Sequence, residues 1–268
     1  MIYGGINIMV KFNNVIVRRP CRAVCDGITS APELGQPIYE KALQQHDKYI
    51  EALKKCGVEV TVLEADERYP DSCFVEDPAL ITKACAIITN PGAESRNGEK
   101  DEIIGAIKKF FPEDKIEYIK DPGTLEGGDV MMVDDTFYVG LSARTNEEGI
   151  RQLGEVLNKY GMKCVQVPLE KVLHLKTGVN YLEHNNMLVA GEFITKPEFE
   201  QYNKVVVPEE EAYGANCIWV NETVIVPEGY PSVLKAVQDL GYETLIVDTS
   251  EFRKIDGGLS CLSLRFWA

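Results

Sequence analysis

Apolar and polar positions along the chain repeat with a period of roughly 40 to 50 residues, a length typical of supersecondary repeats. In each repeat an apolar run precedes a loop rich in Gly, Asp or Asn, and a second apolar run follows that loop. A third apolar run and a stretch with helical spacing complete most repeats. Short apolar runs bounded by turn residues predict β-strands, and amphipathic spacing predicts helices. The pattern therefore predicts five units of strand, strand, helix and strand.

The predicted elements follow this order, with one unit divided between the chain ends. The apolar runs before the loops are Val58–Leu63, Ile116–Ile119, Cys164–Val167, Val205–Val207 and Thr244–Val247. The loops with their following strands are Ser72–Ile81, Leu125–Val133, Leu173–Leu182, Ala215–Val220 and Gly257–Phe266. Further strands are predicted at Ala86–Thr89, Phe137–Val139, Met187–Ala190 and Val224–Val226, and helices at Glu102–Phe111, Glu147–Tyr160, Lys196–Tyr202 and Pro231–Leu240. The divided unit combines strand Asn14–Val17 and helix Pro37–Cys56 with the strands of Gly257–Phe266.

Five such units fit a ring of modules about a pseudo-fivefold axis, since radial repetition leaves few exposed strand edges. We therefore expect an α/β fold in which residues 1–268 form a single domain, with residues 1–8 as an extension outside the core. A two-domain α/β fold whose alternation only resembles a repeat is the alternative. In a ring, the loops would converge at one end of the axis, and loops on a rigid scaffold commonly carry function.

Residues able to carry chemistry fall on these five loops, so a ring would bring them together at the axis. In loop order they are Asp71, Glu76 and Asp77; Glu126 and Asp129; His174; Asn216 and Cys217; and Asp256 and Cys261.

Cys261 follows a flexible double glycine and does not lie inside an apolar run, as a structural cysteine more often does. A cysteine nucleophile reacts as the thiolate and needs a partner for proton transfer, which His174 can provide. Either residue alone is more often structural, but together they predict a catalytic pair. Of the other histidines, His184 is expected in a polar turn, and His46 on a helix surface or partly packed.

Carboxylates and arginines suggest the ligand. Neighbouring Glu76 and Asp77 point to opposite faces of an extended segment, so one is expected to face the axis and one a neighbouring loop. Glu126 precedes a double glycine, and buried carboxylates of this kind match the planar donors of a guanidinium. Arg96 and Arg144 each follow a strand; they are either solvated or clamp a carboxylate. A ligand with a guanidinium at one end and a carboxylate at the other is an arginine.

Composition narrows the classes of function. The net charge of −14 disfavours nucleic-acid partners and suits both solubility and a cationic ligand. The apolar runs are too short to span a membrane, and the N-terminus lacks the pattern of a signal peptide. The eight cysteines are therefore expected to be reduced thiols in the cytosol. Cys21 and Cys25 lack neighbouring ligands, so no metal is expected.

Several motifs in order resemble the dimethylarginine dimethylaminohydrolase family of guanidino-modifying enzymes, in particular its bacterial type. They are Pro70–Pro78, Gly123–Asp129, Gly140–Asn146, Leu173–Gly178 and Lys254–Cys261. The resemblance runs from the first strand to the C-terminus and implies the pentein β/α-propeller fold, with five ββαβ modules. The residues before Met9, an extra residue in Ala31–Gly35 and the terminal Trp267-Ala268 depart from the family pattern.

The resemblance also implies a role for each site residue. Cys261 would be the nucleophile, His174 the acid and base, and Asp77 and Glu126 the guanidinium ligands. The remaining roles are support by Glu76, binding of the α-carboxylate by Arg96 and Arg144, and binding of the α-amine by Asp71 with the carbonyls of Ile28 and Ile255. Asp256, on the fifth loop, is placed with the substrate-binding residues. The loop Cys25–Gly35 would be a lid, with Ile28 closing over the ligand.

The implied reaction is hydrolysis of dimethylarginine to citrulline and dimethylamine through a covalent thiouronium on Cys261, with no metal or organic cofactor. The partner is the small-molecule substrate, without nucleic acid or membrane, and a homodimer stays open. Arginine deiminases share part of the motif set but carry a helical insertion for which this chain has no room. Hydrolysis of monomethylarginine or citrulline is a further alternative. A ribosomal-subunit anti-association factor shares the fold but lacks the catalytic set.

Overall fold

The structure, a computed structural model, describes residues 12–268. The expected extension at residues 1–8 lies outside the described residues. The strands are β1 Asn14–Arg18, β2 Glu59–Leu63, β3 Ala79–Ile81, β4 Ala86–Ile88, β5 Ile116–Tyr118, β6 Val130–Val133, β7 Thr136–Leu141, β8 Lys163–Pro168, β9 Val179–Tyr181, β10 Asn186–Val189, β11 Asn203–Val206, β12 Ile218–Val220, β13 Thr223–Pro227, β14 Glu243–Val247 and β15 Leu264–Phe266. The helices are α1 Tyr39–Lys55, α2 Glu99–Ile107, α3 Glu147–Lys159, α4 Pro231–Asp239 and α5 Ser250–Arg253.

The strands of the described chain form five separate sheets of three strands each. The orders are β15-β1-β2, β3-β4-β5, β6-β7-β8, β9-β10-β11 and β12-β13-β14, numbered here as modules one to five. In every module the middle strand pairs antiparallel with the first strand and parallel with the third. A parallel pair requires a crossover, and a helix provides it in four modules. The predicted pentein fold is confirmed.

The first strand of each module lies toward the common axis. Strand β15 contacts β3, β6 contacts β9, and β9 contacts β12, so these strands meet across module boundaries. They surround an axial cavity of about 140 Å3. The loops that precede them therefore open at one end of the axis, as the repeat predicts.

Module one closes the ring by joining the two ends of the described chain. Strand β15 pairs with β1 in the register Asn14 to Phe266, and α1 then leads to β2. Phe266 is fully buried and packs edge-on against Phe110 of module two, with ring centroids 5.0 Å apart. The last strand of the sequence therefore stabilises two modules at once.

The predicted helix Lys196–Tyr202 is wrong. Module four crosses over through two 3-10 turns, Gly191–Thr195 and Pro197–Phe199. Pro197 disfavours the α conformation at Lys196, whose φ and ψ of −64° and 126° are extended. Phe193 and Phe199 are fully buried and take the place of a helix face against the sheet.

The expectation that His46 lies at the surface or is only partly packed is also wrong. His46 lies on the buried face of α1 with no exposed surface, beside Phe252 of α5. Neither of its ring nitrogens has a hydrogen-bond partner among the described residues. Burial lowers the pKa of His46 to about 4, so this imidazole is neutral near pH 7.

The eight cysteines are free thiols, as expected for a reduced protein. His184 lies exposed in the turn between β9 and β10 with a positive φ of 51°, as the polar-turn prediction requires. Within residues 12–268 no helix combines the length and the apolar character needed to cross a membrane.

Candidate active site

The loops at one end of the axis surround a cavity of about 30 Å3. Nine of the predicted site residues line it: Ile28, Asp71, Asp77, Arg96, Arg144, His174, Ile255, Asp256 and Cys261. The remaining two do not. Glu126 is fully buried behind His174, and Glu76 faces the axial cavity. The structure therefore gathers the predicted set at one place.

His174 is held by Glu126. The Nε2 atom of His174 lies 2.7 Å from Oε2 of Glu126, and both side chains are buried. Burial alone lowers the pKa of His174. The hydrogen bond to Glu126 and the charges of Asp77 and Asp129 outweigh burial and raise the pKa to about 9. His174 is thus a protonated imidazolium near neutral pH, ready to donate a proton.

Asp77 is paired within the protein. Its Oδ2 atom accepts a 2.6 Å hydrogen bond from Nη1 of Arg96, and its Oδ1 accepts a 2.9 Å bond from the backbone N–H of Gly128. Burial raises the pKa of Asp77, but the charges of Arg96 and His174 outweigh it and hold the pKa below its ordinary value. The carboxylate stays ionised, as a ligand for a guanidinium must.

Arg96 is buried, so the solvated alternative for this residue is wrong. Glu99 binds it in a fork, with Nε to Oε1 at 3.0 Å and Nη2 to Oε2 at 2.8 Å. Its Nη2 atom also donates to the carbonyl of Phe74 at 3.2 Å. The guanidinium of Arg96 therefore binds Asp77, the carboxylate that is predicted to bind the guanidinium of the substrate.

Arg144 lines the same cavity and is less constrained. Its Nη1 atom lies 3.4 Å from Oε1 of Glu126, and its side chain is half-buried. The same Glu126 oxygen accepts a 3.1 Å hydrogen bond from the backbone N–H of Ala93. Glu126 therefore contacts Arg144 through Oε1 and His174 through Oε2.

Cys261 follows the double glycine and is fixed through its backbone. Its carbonyl accepts a hydrogen bond from the N–H of Glu76 at 3.2 Å. Asn216 accepts one from the N–H of Ser260 at 2.9 Å, and a Cβ at Gly258 would lie 2.6 Å from Cγ of Asn216. A side chain at position 258 would therefore disturb this loop, which is the close approach that the glycine permits.

The surrounding protein groups do not activate the thiol of Cys261. Burial, together with the charges of Glu76 and Asp77, raises its pKa to about 12. A thiol with such a pKa is a weak nucleophile, so it requires an added positive charge close by. A bound guanidinium is one source of that charge.

Glu76 lies next to the active site in sequence, but its side chain lines the axial cavity. Its Oε1 atom lies 2.5 Å from Nζ of Lys176 and 3.4 Å from Nη2 of Arg265. Asp77 meanwhile faces the opposite side, toward the active-site cavity. The two neighbouring acids thus point apart, as predicted.

The segment expected to act as a lid covers the cavity. The backbone N–H of Ile28 donates to Asp71, with 3.1 Å to Oδ1 and 3.3 Å to Oδ2. Ser30 binds both oxygens of Asp256, through its N–H at 2.6 Å and its hydroxyl at 2.9 Å. Asp256 therefore anchors the lid segment through Ser30.

Sequence reasoning missed three supporting residues. Glu99 positions Arg96, and its spacing three positions along the chain was the available signal. Lys176 pairs with Glu76 across modules, which no local pattern indicates. Tyr213 donates a 2.8 Å hydrogen bond to the carbonyl of Gly257, ahead of Cys261.

Asp77, Glu126 and His174 offer ligand atoms within 4.8 Å of one another, a spacing that a metal ion could use. Both carboxylates, however, contact a guanidinium, from Arg96 and Arg144 respectively. Their charge is thus already neutralised in part, which disfavours a divalent ion. That the site works without a metal stays a prediction.

The arrangement can bind a planar cation beside a thiol and protonate a leaving group. A family model described as N,N dimethylarginine dimethylhydrolase, eukaryotic, matches residues 29–225. The chain is 58% identical to N(G),N(G)-dimethylarginine dimethylaminohydrolase of Pseudomonas aeruginosa, over 95% of this chain and 100% of that protein. It is 35% identical to the protein of the same name from Streptomyces coelicolor, over 93% of this chain and 95% of that one. The chain belongs to the dimethylarginine dimethylaminohydrolase family.

Solved structures agree with this membership. A mutant of the Pseudomonas aeruginosa dimethylarginine dimethylaminohydrolase complexed with citrulline superposes with a TM-score of 0.94 at 58% identity, covering 96% of this chain and 100% of that one. The N-terminal domain of ArgZ, at 17% identity over 95% of this chain and 97% of that chain, has a TM-score of 0.82 and shares the fold alone. The resemblance drawn from the motifs is thereby confirmed.

Proposed function

We propose that this member of the dimethylarginine dimethylaminohydrolase family hydrolyses dimethylarginine to citrulline and dimethylamine through a covalent intermediate on Cys261. One observation carries the proposal. Cys261, an imidazolium at His174 and an ionised Asp77 line a single cavity. A thiol, a proton donor and a carboxylate for the guanidinium are the groups this reaction requires.

The substrate lies with its amino-acid end toward the lid. Asp71 and the backbone of Ile28 and Ile255 surround the α-amine, and Arg96 and Arg144 bind the α-carboxylate. The guanidinium lies between Asp77 and Glu126. Arg96 contacts Asp77 through Nη1, so binding of the substrate guanidinium exchanges this contact and frees part of Arg96 for the carboxylate. Glu99 keeps Arg96 charged and in place during this exchange.

The guanidinium also activates the nucleophile. Its positive charge beside Cys261 offsets the charges of Glu76 and Asp77 and lowers the pKa of the thiol. The thiol proton passes to solvent, the thiolate attacks the guanidino carbon, and an S–C bond forms as the C=N π bond of the guanidinium opens. The C–N bond to the dimethylamino group then breaks, and its electron pair takes a proton from His174. A thiouronium remains on Cys261.

Hydrolysis completes the cycle with the same residues. Neutral His174 removes a proton from water, and the water oxygen bonds to the thiouronium carbon. The S–C bond then breaks, the thiol is restored, and citrulline leaves when the lid opens. Glu126 stabilises each imidazolium that forms, through the 2.7 Å contact with His174.

The organisation of the protein follows from the ring. We propose that residues 1–268 act as one catalytic domain, since the modules close through β15 and β1. We place the protein in the cytosol, because eight free thiols suit a reducing compartment. A homodimer stays a prediction.

The test is incubation of the protein with dimethylarginine and separate assays of citrulline and dimethylamine. Equal amounts of both products support the proposal, and ammonia in place of dimethylamine favours deiminase chemistry. The variant Cys261→Ser should be folded and inactive, whereas Cys164→Ser, at a half-buried thiol of module three, should stay active. Citrulline formation by Cys261→Ser at the wild-type rate would contradict the role of the thiol.

A further inference from the structure

A second space adjoins the active-site cavity behind the catalytic pair. This rear cavity, also about 30 Å3, shares His174, Asp256, Gly257 and Cys261 with the active-site cavity. The residues that bind the amino-acid end of the substrate, such as Arg96 and Arg144, line only the front. The rear cavity therefore meets the active-site cavity at the catalytic pair, away from these two arginines.

The rear cavity continues into a larger space. Thr177, Tyr213 and Asp256 line both the rear cavity and a side cavity of about 410 Å3. Ser30 and Leu34 of the lid segment form one wall of the side cavity, and Ala212 lies on another. Thr177 is exposed, which places it at the mouth of the passage.

Two glycines keep the rear cavity open. A Cβ at Gly128 would lie 2.8 Å from Nδ1 of His174 and 3.0 Å from Oδ1 of Asp77. A Cβ at Gly258 would lie 2.6 Å from Cγ of Asn216. Both glycines line the rear cavity, so any side chain at either position would take up the space beside the catalytic pair.

We propose that the leaving amine departs, and the hydrolytic water arrives, through this rear passage, so that Thr177 and Tyr213 at its mouth limit the size of the leaving group. The inference rests on the proposed function. During both steps the amino-acid half fills the front cavity under the lid. The nitrogen released from the C–N bond, protonated by His174, then leaves through the rear without passing the bound amino-acid half. The water that adds its oxygen to the thiouronium carbon follows the same path inward.

The passage implies a wider substrate class than methylated arginines. An arginine whose terminal nitrogen carries a propyl group would place that group through the rear cavity toward the side cavity. We expect the wild-type protein to release citrulline from this compound and from monomethylarginine.

The variant Thr177→Trp tests the passage because it narrows the mouth from an exposed position. We expect kcat/KM for the propyl substrate to fall about tenfold or more, and kcat/KM for monomethylarginine to change by less than about twofold. The pH profile with monomethylarginine should stay that of the wild type, since His174 is untouched. If Thr177→Trp folds poorly, Ala212→Phe replaces it, because this variant narrows the side cavity from another wall. We expect the same selective fall in kcat/KM for the propyl substrate.

Two controls accompany these variants. Thr177→Val keeps the side-chain volume and should keep the wild-type ratio of the two kcat/KM values. Lys109→Trp adds the same indole at an exposed position after α2 and should also keep that ratio.

The outcomes separate the inference from the function on which it rests. Equal losses for both substrates in Thr177→Trp, or cleavage of dimethylarginine but not of the propyl substrate by the wild type, would overturn the rear passage alone. Absence of citrulline from dimethylarginine with the wild type would overturn both.

Discussion

At the scale of single residues, the charge of His174 depends on its neighbours. Burial lowers the pKa of His174, but the hydrogen bond that His174 donates to Glu126 is the largest of the effects that raise this pKa to about 9. In the proposed mechanism the imidazolium delivers the proton to dimethylamine. The carboxylate of Glu126 is therefore expected to set the upper pH limit of the reaction.

Glu126→Gln removes that charge while keeping the shape of the side chain. The pKa of His174 should fall, so the basic limb of the kcat profile should move from near pH 9 to lower pH. At pH 8 we expect kcat to fall about tenfold or more, because little imidazolium remains. Steady-state rates between about pH 6 and pH 10 provide the measurement, because this range contains the ordinary histidine pKa and the raised pKa of His174.

Glu117→Gln is the matched control. Glu117 binds Lys159 and Tyr160 on the outer surface, away from the site. This variant should keep the wild-type profile. An unshifted basic limb in Glu126→Gln would contradict the assignment of that limb to His174.

The residue scale also marks where sequence reasoning stops. Cys261, His174 and the loop acids could be predicted, because they fall on the equivalent loops of the five repeats. The pairing of Arg96 with Asp77 could not, since it depends on how two loops pack in three dimensions. The same holds for Lys176 and Glu76.

At the scale of elements, strands were predicted more securely than crossovers. Short apolar runs such as β4 and β13 can be recognised from the sequence, because each strand is buried along nearly its whole length. Module four misled the helix prediction, although Pro197 directly after Lys196 was a signal against a helix. His46 was misjudged because helical spacing alone does not reveal that α5 covers α1.

The burial of His46 in α1 predicts loss of stability in acid. Its folded pKa of about 4 lies below the ordinary value of 6.5. As the pH falls through this window, the unfolded chain binds a proton that the folded chain does not. The free energy of unfolding should therefore decrease between pH 6.5 and 4, with about 3 kcal/mol from this residue.

His46→Leu removes the titrating group and both unpaired nitrogens. We expect the variant to lose less stability than the wild type between pH 7 and pH 4, and to be at least as stable at neutral pH. Urea denaturation at several pH values measures this difference. The same pH dependence in both proteins would contradict a neutral buried His46.

At the scale of the whole molecule, the ring determines the site. Modules one to four contribute residues to the active-site cavity, and module five supports it through Asn216, which accepts a hydrogen bond from the N–H of Ser260 beside Cys261. The repeat in the sequence predicted the closure of the ring, because the divided unit lacked a partner for Asn14–Val17 except the last strand. The exact contacts between modules depend on side-chain packing, which a repeat period does not specify.

Phe266→Ala tests the closure of the ring. Removing this fully buried ring from between modules one and two should lower the free energy of unfolding by about 3 to 5 kcal/mol. Ile246→Ala on β14 is the control, since Ile246 is 53% exposed and its loss should cost about 0.5 kcal/mol or less. Equal effects of the two substitutions would contradict a closing role for β15.

The covalent intermediate gives the most direct test of the central claim. The protein is mixed with dimethylarginine, quenched in acid within the first turnover, and digested for mass spectrometry. The peptide that contains Cys261 should gain the mass of the substrate less dimethylamine, and Cys261→Ser should carry no adduct. Rapid release of citrulline with no adduct on that peptide at any time, or an adduct on another cysteine, would contradict the account.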